Sequence, residues 1–125
     1  MAKYQPGVCN IGKNEIRKRY ELAAIVFVMA AIVSYLIFTF NLPKWTLFFS
    51  FILLTMGFEG FYQGYFRFCA GFAARGIYDF SGSGGSKSVV TNQESHEKDM
   101  GKARQIHLYS IISSIIIVAI IYFAL

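Results

Sequence analysis

Charge is what this chain has least of. Only 15% of its 125 residues are Asp, Glu, Lys or Arg, against roughly 25% in an average soluble protein. Hydrophobic residues make up 55% and aromatic residues 18%. They gather in three long blocks rather than the short periodic patches of a soluble amphipathic fold, and long uncharged blocks mark lipid as the solvent. Cysteine is scarce too: Cys9 and Cys69 are the only two, too few for a disulfide scaffold. The side-chain sets of hydrolysis are also lacking. No Ser-His-Asp or paired-carboxylate arrangement can be assembled on one side of a membrane from these residues. The chain is therefore not expected to be an enzyme or to need a cofactor. Its length leaves room for one structural unit.

What is present reads as an all-α integral membrane protein with three transmembrane helices. The first span covers about residues 22–40 and carries no charge, close to the ~20 residues that cross the hydrocarbon core. Asn14 can cap a helix beginning in the preceding basic segment, where Glu15/Arg19 and Arg17/Glu21 are spaced for pairs on one helix face. The apolar stretch exceeds a signal-peptide core and no small-x-small cleavage site follows it, so it reads as a signal anchor. Asn41-Leu42-Pro43-Lys44 is a tight turn, with Pro43 ending the first helix. A connection this short makes the first two spans an antiparallel hairpin. The second span covers about 45–66, with Trp45 at one end and Tyr62 and Tyr65 near the other, as interfacial aromatic belts require. The third covers about 106–125. It is β-branched, but its length and lack of turn signals favour a membrane helix.

The net charge of +5 is distributed beside the spans, which suits anionic headgroups rather than nucleic acid. Five Lys or Arg precede the first span and six lie in residues 67–105, whereas the short turn holds only Lys44. The positive-inside rule places the amino terminus and the long loop in the cytoplasm, with Lys44 and the carboxyl terminus outside.

Within the loop, 67–80 is apolar and aromatic, too short to span, and reads as an interfacial helix or collar. Residues 81–95 read as a flexible Gly/Ser-rich and polar linker. The run from Gly82 to Ser88 has Ser86 where a phosphate-binding loop needs glycine before its lysine, and no strand precedes it. It is a tether. From Ser95, a possible cap, the chain is charged and helix-compatible and leads into the third span.

Glu59 is the most informative position, because an ionisable side chain in a membrane segment is costly. Thr55, Glu59, Gln63 and Arg67 recur every four residues, forming a polar stripe on one helix face. Gly60 and Gly64, with Gly57 a turn away, allow close approach of another helix. The stripe is either an ion or proton path or a helix contact. Structurally, Glu59 would bond Gln63, or Ser110 and Ser114 of the third span. Cys9, Cys69, His96 and His107 all fall on the cytoplasmic side and include the donor types of a zinc site. None has a CxxC or HxxxH neighbour, so they are weak metal candidates, and packing is the simpler role for the cysteines.

Two stretches carry a resemblance: Cys9-Asn10-Ile11-Gly12 with Glu15-Ile16-Arg17, and Arg67-Phe68-Cys69 with Gly71-Phe72, Gly76 and Phe80. Together they resemble a group of short prokaryotic multi-span membrane proteins of the same layout. The resemblance implies no activity. It implies that the two cysteine segments form one juxtamembrane unit, the amino-terminal tail folding under the 67–80 collar.

Three functions are consistent with these residues. The favoured one is a non-enzymatic accessory or scaffold subunit in the cell membrane. It would pack against other membrane subunits or itself through the Glu59 stripe and the Gly60/Gly64 face, and hold anionic lipid at its basic surface. The second is a small homo-oligomeric ion or proton transporter or channel using Glu59. The third is a membrane redox or metal protein built on Cys9 and Cys69.

Overall fold

The computed structural model describes residues 4–81, 85 and 87–124. Three helices dominate it. Helix α1 spans Lys13–Thr39, α2 Leu47–Phe66 and α4 Gln93–Ala124, with a short α3 at Ala70–Arg75. Segments Lys13–Thr39, Lys44–Phe66 and Gln93–Ala124 are each long and apolar enough to cross a membrane. The expected third span extends one residue further, to Leu125, which lies outside the described residues.

The ends of these helices follow from local chemistry, not always where the sequence suggested. Gly12, in extended backbone, precedes α1 without a side-chain cap, so Asn14 is not the cap. The Gly12 N–H donates instead to the Asp79 carbonyl. At the other end Asn41 takes a left-handed φ of 49°, a conformation asparagine tolerates better than most residues. Pro43 then starts the 3-10 turn Lys44–Thr46, which the Thr46 hydroxyl closes by donating to the Pro43 carbonyl at 2.6 Å. Helix α2 stops at Arg67, whose φ of 56° lets Arg67 N–H and Phe68 N–H return to the carbonyls of Gly64 and Gln63. The start of α4 is set by Asn92, not Ser95. Asn92 Oδ1 accepts from the Ser95 N–H at 3.2 Å, an N-cap bond to the third helical residue.

The fold is mostly helical, in keeping with the expected all-α class, with one short addition in the loop: β1 at Ile77–Asp79 and β2 at Lys87–Val89 form an antiparallel pair. One expectation for the loop is corrected. Residues 67–80 are not one interfacial helix, because Gly76 at φ 68° ends α3 after six residues. Ile77 and Tyr78, β-branched and aromatic, then continue as a strand. Positions 82–84 and 86 of the phosphate-loop look-alike lie outside the described residues, and its Lys87 and Ser88 fall in β2. The rest of the expected 81–95 linker contributes β2 and the start of α4.

Helix α2 is the middle of the molecule. It packs against α1 on one side and α4 on the other, while α1 and α4 have little direct contact. Glycine makes the first contact close. A Cβ on Gly60 would lie 3.0 Å from the Arg19 carbonyl oxygen, and one on Gly64 3.0 Å from the Tyr20 ring. On the other side the small residues Ser110 and Ser114 of α4 are fully buried. Each returns its hydroxyl to a carbonyl four residues earlier, of Ile106 and Ser110 respectively.

The end bearing residues 4–12, 67–81 and 87–92 is a folded cap. Phe68, Ala70, Ala73, Ala103 and Ile106 form its core, with Tyr62 and Phe66 packed against it. Asn10, fully buried, joins the tail to the start of α3. Its amide donates to the Cys69 carbonyl at 3.0 Å and its Oδ1 accepts the Cys69 N–H at 2.6 Å. Its backbone bonds Arg67 and Asp79, so Ile11 lies beside β1 as a parallel bridge. A second tie reaches α4. Asp99, also fully buried, accepts the Tyr4 hydroxyl at 2.7 Å and the Gly7 N–H at 2.8 Å. Tyr4 stacks on Tyr78 with centroids 4.5 Å apart.

Candidate functional site

A chain of polar side chains crosses all three long helices just inside the cap. It starts on α4, where His107 Nδ1 meets Glu59 Oε1 of α2 at 2.5 Å. The other carboxylate oxygen of Glu59 accepts from Gln63 Nε2 at 3.1 Å. Gln63 Oε1 in turn accepts from Arg19 Nε of α1 at 3.2 Å. Arg19 has three further neighbours: Glu15 at 3.2 Å, the Cys69 sulfur at 3.0 Å, and the Phe72 ring, 5.8 Å from centroid to guanidinium carbon. The α-helical repeat aligns Glu59 with Gln63 and Glu15 with Arg19, one turn apart on their own helices.

The level of this chain changes the meaning of Glu59. Gly60 lies against Ala23 of α1, near the start of that helix's uncharged block, and Glu59 meets His107, near the start of the block in α4. Glu59 is therefore level with the beginning of two neighbouring apolar blocks rather than deep among them. Its side chain is 20% exposed and that of His107 53%.

Toward the turn end three hydroxyl pairs join neighbouring helices. Thr55 Oγ1 lies 2.8 Å from the Phe51 carbonyl and 2.9 Å from Ser114 Oγ. Tyr62 meets Ser113 at 2.7 Å, and Ser34 meets Ser50 at 2.9 Å. No buried side-chain nitrogen or oxygen among the described residues lacks a partner.

Of the expected stripe, Thr55, Glu59 and Gln63 face neighbouring helices. Arg67 does not, since it lies beyond the helix in left-handed backbone. Glu59 bonds Gln63 as anticipated, but His107 takes the place expected for Ser110 and Ser114. The glycine face is filled by α1 of the same chain, so Gly60 and Gly64 are not open to a partner. The four weak metal candidates are dispersed. Cys69 lies under Arg19, His107 on Glu59, His96 beside Gly76 and Cys9 in the tail. No group of three His, Cys, Asp or Glu among the described residues is arranged to hold a metal ion, and neither cysteine forms a disulfide.

Electrostatics in the cap is local. Burial pushes the Cys9 thiol above its ordinary value, against smaller opposing effects of Gln5 and Arg67. Burial, then the bond to Asp99, raises Tyr4. Asp79 is lowered by the Ser81 hydroxyl and N–H, with Lys87 and Lys18 adding to the effect. Sequence reasoning missed Tyr4 and Asp99 as a pair, and His107 as the partner of Glu59. Asn10 stood inside a quoted segment, but its role needed the fold.

Comparison with protein-family models, with curated proteins and with solved structures finds no match.

Proposed function

We propose that the chain is a small, non-enzymatic accessory or scaffold subunit of a membrane, crossing it three times with the cap in the cytoplasm. The observation that carries this reading is where the polar chain stops. It runs from Glu15 to the Glu59–His107 pair at the cap end, and beyond that level the hydroxyls between helices meet one another, Thr55 with Ser114, Tyr62 with Ser113 and Ser34 with Ser50. A path for ions needs polar groups with spare bonding capacity through the full depth. A scaffold needs a locked interior and an available edge. Here α1 and α4 flank α2 in an open layer, and the half-exposed imidazole of His107 is a polar group on its flank.

The exterior fits lipid and protein neighbours. Large apolar side chains such as Ile25, Ile32, Phe48, Ile116 and Phe123 are exposed along the helices, and basic residues of the cap would meet anionic headgroups. The orientation rests on the same positive-inside asymmetry that the sequence carries.

One observation favours the second reading, a homo-oligomeric proton or ion transporter. Glu59 and His107 form a carboxylate–imidazole pair joined through Gln63 to Arg19. Native mass spectrometry of the tagged protein, extracted from its own membrane in mild detergent, separates the two. The accessory reading expects a heteromeric mass. A homo-oligomer whose vesicle flux disappears in Glu59→Gln would replace it with the transporter, and a bare monomer would overturn it.

A further inference from the structure

Two apolar grooves flank α2 at the turn end, and they differ in one respect. The groove between α1 and α2, about 500 Å³, is lined by Val33, Ile37, Leu42, Phe49 and Leu53 among others, with no charged side chain. The groove between α2 and α4, about 440 Å³, has Leu47, Phe51, Ile115 and Ala119 in its walls and Lys44 and Tyr122 at its mouth. Lys44 Nζ stands 4.3 Å from the centre of the Tyr122 ring. No Asp or Glu occurs between Glu21 and Glu59 or after Asp99, and Lys44 has no ion pair among the described residues.

We propose that the α2–α4 groove binds one acyl chain of an anionic phospholipid, with Lys44 on its phosphate. The inference rests on the membrane-spanning reading and adds a ligand site to it. From Lys44 to Phe51 the groove runs roughly 10 Å along α2, and apart from Lys44 and Tyr122 its walls are wholly apolar, which matches a methylene chain hanging below one anionic headgroup. The ring of Tyr122 holds the ammonium at the groove mouth, a cation–π contact that leaves N–H donors for a phosphate. Lysine is the one cation at this end of the molecule, so it supplies the charge complementarity that the neighbouring groove lacks.

Trp45, the single tryptophan, follows Lys44 and serves as the reporter. The full chain is reconstituted in vesicles of equal parts phosphatidylcholine and phosphatidylglycerol, with acyl-brominated quencher on one lipid or the other. The expected result is about five-fold enrichment of the anionic lipid in the quenching, the size of one lysine beside an anionic headgroup. The preference should vanish in Lys44→Gln, which removes the charge, and in Ala119→Phe, which fills the groove. It should persist in Lys44→Arg and in Val33→Phe, which fills the other groove. Equal quenching by both lipids in the wild-type chain would overturn the site, as would a preference unchanged by both Lys44→Gln and Ala119→Phe. Failure of the chain to float with the vesicles would overturn the membrane reading, and the lipid site with it.

Discussion

Replacing Asn10 with Ala should open the cap while leaving the long helices packed. The Asn10 side chain is fully buried and bonds both backbone groups of Cys69. The two losses are unequal. The Cys69 carbonyl still accepts the Ala73 N–H at 3.1 Å, so it keeps a partner. The Cys69 N–H has no replacement and is left buried and unbonded, at a cost of about 1–3 kcal/mol. A small void where the amide stood adds to this, bringing the expected loss to about 3 kcal/mol. That corresponds to an increase on the order of a hundred-fold in the population of the opened cap. The backbone bonds of residue 10 to Arg67 and Asp79 survive the change, so opening is local and the tail is not lost outright. Hydrogen exchange in detergent reads this directly. Peptides from residues 4–12 and 67–80 should exchange far faster in the variant, while peptides from 47–60 keep their wild-type protection. Unchanged exchange at 67–80 would refute the argument that this one amide ties tail to collar.

Five other outcomes follow from the geometry and the local electrostatics. Gly60→Leu presses a side chain onto the Arg19 carbonyl, a backbone atom that cannot rotate away; a loss of about 1–3 kcal/mol or more is expected from overpacking. Thermal unfolding reads this loss, and Gly71→Ala, whose Cβ would meet nothing nearer than 3.7 Å, should be silent in it. Tyr4→Phe removes the hydroxyl donated to buried Asp99, and limited proteolysis should cut the tail sooner in the variant. Because burial raises the Cys9 thiol, less thiolate is present at a given pH, and alkylation followed by mass spectrometry should show its rate rising at higher pH than for an exposed thiol. Asp79 has the opposite sign: its lowered carboxyl stabilises the β1 turn above the ordinary aspartate range. That contribution is lost only as pH falls through the depressed value, so Asp79→Asn should matter at neutral pH and not in strong acid.

How far the sequence could be read depended on whether the controlling interaction was local. Three long apolar blocks and the Asn41–Lys44 turn are properties of neighbouring residues, and the three long helices appear where those blocks lie. The pairs Glu15/Arg19 and Arg17/Glu21 form as their spacing requires. The two β segments were not legible, because three-residue strands carry too little periodicity and one lies in a stretch of linker-like composition. The role of Asp99 was hidden for another reason. On a charged segment it resembles any solvated residue, and only the tail folding back from residues 4–7 buries it. The depth of Glu59 could not be read either. It depends on how α2 is staggered against α1 and α4, which Gly60 on Ala23 and Glu59 on His107 establish.

The central claim is that the flank carrying His107 faces another membrane polypeptide. A photo-crosslinking amino acid placed at Leu108, exposed on α4 beside His107, and activated in the protein's own membrane tests it. The account predicts a discrete crosslinked band containing a second polypeptide, weakened when His107 is replaced by Ala. Adducts with lipid alone, at wild-type expression, would contradict it.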